Sequence, residues 1–131
     1  MALVQEYKKV DAELRVIWVK KPEKRDYINR FQNTLPSYAT AFRDMFIAYN
    51  AVKEDKNKSD KFVKEFFEET LTIFKKLKEL AIKINESNIT ITIENEEKDL
   101  NDWKKNIDKL KNTFNSFQYQ HQAQASRNYL K

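Results

Sequence analysis

Residues 60–84 read DKFVKEFFEETLTIFKKLKELAIKI. Phe62, Val63, Phe66, Phe67, Leu71, Phe74, Leu77, Leu80, Ala81 and Ile84 recur there at the three- and four-residue intervals of an α-helix. The stripe is wider than a single heptad seam, and a wide stripe meets two neighbours. This helix is therefore expected at the centre of the packing, with Phe67, Phe74 and Leu77 among the most buried side chains. Ser59 or Asp60, ahead of the first phenylalanines, reads as its N-cap.

Upstream, Glu54 to Asp60 (EDKNKSD) has no apolar residue and reads as a surface turn. Before it, Ile28, Phe31, Leu35, Tyr38, Phe42, Met45, Tyr49 and Val52 keep a 3-4-3-4-3-4-3 spacing straight through Pro36. That predicts one long helix over about 24–54, kinked where the proline ring removes a hydrogen bond. Two helices meeting at Pro36 is the alternative. Leu3, Tyr7, Val10, Leu14 and Ile17 make a further seam, predicting a first helix over about 2–20 that Pro22 ends.

Downstream, Asn85 to Asn88 is a polar break. Ile89-Thr90-Ile91-Thr92-Ile93 then alternates β-branched residues with period two, which predicts a short extended segment near 88–94. Such a strand has no ladder partner in a helical chain, so it is expected to lie over the bundle or to pair with its copy in another subunit. Leu100, Trp103, Ile107, Leu110, Phe114 and Phe117 then hold a 3-4-3-4-3 seam. Glu94, Glu96, Glu97 and Asp99 lie where a helix N-terminus favours negative charge. A helix over 96–131 is expected, reaching about 54 Å at ~1.5 Å per residue. The other predicted helices are shorter. Its polar end, residues 119–131, is therefore expected to extend from a bundle formed by residues 1–118.

The fold class that follows is all-α: an elongated antiparallel bundle of three to four long, kinked helices. Composition agrees. The chain has 131 residues with 40% apolar and 34% charged side chains, enough for one domain with a real core. It contains no glycine, which β-hairpins, Rossmann turns and phosphate-cradling loops depend on. No cysteine is present, so neither a disulfide framework nor thiolate chemistry is available. The start, MALVQEYKK, lacks the apolar core of about 7–15 residues that a signal peptide carries, which makes a cytoplasmic location the default expectation.

No motif specifies a reaction. His121 is the single histidine, whereas zinc sites and carboxylate-bridged di-iron bundles draw on several ligands. Paired carboxylates such as Glu68-Glu69 point about 100° apart on a helix and read as a solvated face. The chain is therefore expected to be no enzyme, with no cofactor, no metal and no small-molecule substrate.

Two constellations read as binding candidates. Lys20, Lys21, Lys24 and Arg25 form the densest basic cluster, at a helix break, with Tyr27 just behind. Cations interleaved with an aromatic are what phosphate contact and base stacking require. Net charge is +5, and residues 1–30 hold eight basic and five acidic side chains, a local surplus of three. The bland alternative is a solvated interhelical turn. The second constellation is the last seam with the isoleucine alternation: Phe114, Phe117, His121, Gln124 and Tyr129, with Ile89, Ile91 and Ile93, are candidates for self-association. The leading expectation is a non-enzymatic helical-bundle interaction protein that forms a homo-oligomer, an isologous dimer first, or binds a protein partner. A nucleic-acid-coating or virion structural protein using the basic turn is the alternative. A helical dimer on a membrane surface ranks third.

Overall fold

The computed structural model describes residues 2–116, and every regular element among them is helical. A short helix α1 (Ala2–Gln5) and α2 (Tyr7–Lys20) divide the first seam between them. The break lies at Glu6, whose backbone (φ −97°, ψ 19°) leaves helical geometry. A 3₁₀ turn at Pro22–Lys24 leads into α3 (Arg25–Val52), followed by α4 (Lys56–Ile84) and α5 (Ser87–Lys105). Helical turns resume over residues 107–116.

α3 runs through Pro36 as one helix. Pro36 is exposed, so the hydrogen bond it cannot donate is lost on the solvated side. α3 and α4 are antiparallel: the Tyr38 and Phe74 rings lie 5.9 Å apart, and the Lys83 ammonium lies 5.5 Å from the Tyr27 ring. α4 packs against α3 and also against α5, the central position its wide stripe requires. Phe67, Phe74 and Leu77 are buried as expected. Phe46 and Phe66, on the flanks of the seams, are half-buried against the same core.

α4 begins earlier than Ser59. Asp55 is its N-cap, accepting from the Lys58 amide at 3.2 Å, and the first turn lies inside the apolar-free stretch. The expected surface turn is therefore shorter than the apolar-free stretch: Glu54 and Asp55 lie in it, and Lys56 to Asp60 are already helical. Ser59 is instead buried within the helix. At the other end Asn85 takes φ 52°, ψ 52°, the left-handed C-cap that glycine usually supplies.

The expected extended segment at 88–94 is corrected: those residues belong to α5. Ile89 and Ile93 are four apart and both buried, whereas Ile91 is 54% exposed on the opposite side. The period-two pattern contains a helical i, i+4 pair. Ile89, Ile93, Glu96, Leu100 and Trp103 in fact form a 4-3-4-3 seam with a carboxylate at its centre, all five buried. The Glu96 side chain accepts from the Leu3 amide at 2.6 Å, tying α1 to α5.

The expected continuous helix over 96–131 is also interrupted. Asn106 leaves helical geometry (φ −142°, ψ 94°), and its side chain caps the next turns by accepting from the Asp108 amide at 3.1 Å. Residues 107–116 then fold onto the end of the bundle where α3 meets α4. Phe114 is fully buried with its ring 5.7 Å from both Phe46 and Tyr49. Lys111 is pinned there by Asp60 and by the Ser59 hydroxyl at 3.0 Å. The interruption removes the length argument for a projecting helix. The proposed extension at 119–131 lies outside the described residues.

Candidate functional site

Pro22 disfavours helical geometry at Lys21, so α2 stops and the chain turns. Lys21 and Lys24 are thereby aimed at the α4–α5 junction. Their ammonium groups lie 2.5 Å and 2.8 Å from one Glu86 oxygen, and Lys24 also reaches the Asn85 carbonyl at 3.4 Å. Lys21 first, then Lys24, holds the Glu86 carboxyl below the usual carboxylate range. Arg25 turns back over α2. Its Nε donates to the Trp18 carbonyl at 2.8 Å, and its guanidinium sits 4.2 Å from the centre of the Trp18 ring. Trp18 in turn donates to Asn29 at 3.0 Å.

The basic turn is thus a junction that fastens two interhelical connections at one end of the bundle. Of its four cations, Lys20 alone is exposed and makes no ion pair among the described residues. Tyr27 faces the other way, half-buried beside Lys83.

Tyr27 opens onto a groove of about 440 Å³ between α3 and α4. Tyr27, Arg30, Asn33 and Thr34 line it from α3, and Lys76, Glu79, Leu80 and Lys83 from α4. The two sets occupy matching i, i+3, i+7 faces of antiparallel helices. Three cations stand against one carboxylate in the groove, a local surplus of two positive charges. Arg30 also bonds Asp26 on its own helix at 3.1 Å, with both side chains well exposed. Lys76 makes no ion pair among the described residues. Sequence reading passed over Arg30, Lys76 and Lys83 because each lies on the polar face of its own helix. The antiparallel register is what brings them together.

The self-association candidates separate. Of the four among the described residues, Phe114, Ile89 and Ile93 are covered by the chain itself and Ile91 is exposed. Phe117, His121, Gln124 and Tyr129 lie outside the described residues. A different apolar surface appears on α2, which buries only Val10 and Leu14 of its 14 residues. Val16 is 53% and Val19 68% exposed, with Trp18 at their edge. Lys8, Lys9, Ala12, Arg15 and Lys20 are exposed on the same side of the helix.

Among the described residues no group of three histidine, cysteine or acidic side chains is placed to hold a metal ion. No described helix is long and apolar enough to cross a membrane. The chain matches no protein-family model, and neither a curated protein nor a solved structure is significantly similar to it.

Proposed function

We propose that the chain is a non-enzymatic helical-bundle interaction protein whose α2 binds a protein partner. The observation that carries this reading is the exposed pair Val16 and Val19, one turn apart on a helix that buries little of its own surface. Apolar side chains left outside a filled core mark partner surfaces when they are contiguous.

Charge narrows the partner. Arg15 and Lys20 border the valines, and Lys8 and Lys9 continue the same face toward the start of α2. Among the described residues Arg15 alone of the four makes an ion pair, with Asp11 at 2.9 Å. A second α2 on this face would set cations against cations. An amphipathic helix with apolar anchors flanked by carboxylates is complementary in both respects.

Trp18 provides the readout. The full chain is titrated with a synthetic amphipathic peptide bearing Leu anchors and Glu flanks, and with a counterpart in which Lys replaces Glu. In a Trp103→Phe background, where Trp18 is the sole tryptophan, saturable change in emission is expected with the Glu peptide only, and loss of it on adding Val16→Ser/Val19→Ser. No response, or equal response to both peptides, overturns the reading.

A further inference from the structure

We propose that the groove between α3 and α4 binds single-stranded nucleic acid, with phosphates along Lys83, Arg30 and Lys76 and a base against Tyr27 and Leu80. This is a separate site from the α2 face and from the basic turn.

The antiparallel register, with Tyr27 beside Lys83 and Tyr38 beside Phe74, sets Arg30 of α3 at a level between Lys83 and Lys76 of α4. Lys76 and Lys83 are seven residues apart, about 10 Å along the helix axis at ~1.5 Å per residue. Successive phosphates of a strand can follow a row of this length. Concave walls concentrate the field of like charges, and with Glu79 in the groove and Asp26 beside Arg30 the three cations keep a surplus of one. The Arg30–Asp26 pair is exposed on both sides and is readily exchanged for a phosphate contact. Lys83 is held at the Tyr27 ring, so charge and aromatic surface adjoin at one end of the row. A groove that tracks the backbone beside an aromatic platform is the general arrangement for single strands, whose base faces are free to stack. In a duplex those faces are covered.

The test is fluorescence anisotropy of a labelled dT12 with the full chain, across salt concentrations. Three phosphate contacts predict a log K against log salt slope of about −2, hence roughly twentyfold weaker binding at 200 mM than at 50 mM salt. Lys76→Gln/Lys83→Gln should bring the slope to about −0.7. Tyr27→Leu should weaken binding without changing the slope, with circular dichroism melts confirming that each variant folds. No binding of dT12 at 50 mM salt overturns the proposal. So does equal binding of a duplex, or unchanged binding by the Lys76→Gln/Lys83→Gln variant. Loss confined to a Lys20→Gln/Lys21→Gln variant would return the site to the basic turn and overturn the groove. ATP binding as tightly as dT12 would assign the groove to a free nucleotide and overturn the strand.

Discussion

The Leu3 amide donates to the Glu96 carboxylate across 93 residues of sequence, at 2.6 Å, and both residues are fully buried. The first amides of a helix have no intrahelical acceptor, and α1, at four residues, has little beyond its first turn. A buried carboxylate on α5 supplies that acceptor and holds α1 onto the bundle.

Glu96→Leu keeps the volume and removes the acceptor. The Leu3 amide is then buried without a partner, at a cost of about 1–3 kcal/mol. Hydrogen exchange at Leu3 should accelerate more than exchange in α3 or α4. Unchanged protection at Leu3 would show that α1 is held by packing alone.

Tyr38 lies in the same region, fully buried. Burial first, and then the negative charge of Glu96, pushes its phenol well above the ordinary value of 10.0. The neutral phenol is therefore favoured by the fold. The stability this gives is complete below the unfolded value near 10 and is lost as pH rises beyond it. Alkaline unfolding followed by circular dichroism should shift to higher pH in Tyr38→Phe. If the native and Tyr38→Phe profiles coincide, Tyr38 ionisation does not drive the transition.

The heptad stripes of α3 and α4 made the long antiparallel pair legible in sequence, because each stripe is apolar at nearly every seam position. α5 was not legible, for a physical reason that resides in one residue. Glu96 occupies a seam position between Ile93 and Leu100, so the seam looked as if it began at Leu100 and left the isoleucines to be read as a strand. The acceptor it provides serves Leu3, 93 residues away, which no local pattern discloses. The break at Asn106 was similarly hidden, because Trp103, Ile107 and Leu110 keep their spacing across it. At the basic turn, sequence found the cations but not Glu86, the acid that pairs with two of them. The groove cations were invisible until two helices met.

Acid should act on the junctions that hold the bundle ends. Lys21 and Lys24 depress Glu86, and Lys111 depresses Asp60, chiefly by hydrogen bonding. Carboxyls with lowered folded-state values stabilise the fold above their unfolded values, 4.5 and 3.8, and lose that contribution as pH falls through the folded ones. Glu86 is partly exposed, so each of its pairs is worth no more than about 1 kcal/mol. Thermal melts at pH 7 and pH 3 should therefore differ less for Lys21→Gln/Lys24→Gln than for the native chain. An unchanged difference would place the acid sensitivity elsewhere.

The three isoleucines of α5 separate the helix from the strand directly. On one face of a strand, Ile89, Ile91 and Ile93 would be equivalent, and truncating any of them would cost a similar amount. On α5 they are not: Ile89 and Ile93 are buried, and Ile91 stands more than half exposed between them. Ile89→Ala and Ile93→Ala should each cost about 2–5 kcal/mol, since each removes buried methyl groups and leaves a cavity against the core. Ile91→Lys should stay within about 0.5 kcal/mol, because the new charge is solvated and lysine is at least as good a helix former as isoleucine. Denaturant unfolding of the three variants measures the contrast. A loss at Ile91 comparable to that at its neighbours would mean that a strand or a second chain covers it, and that the helix is not the state in solution.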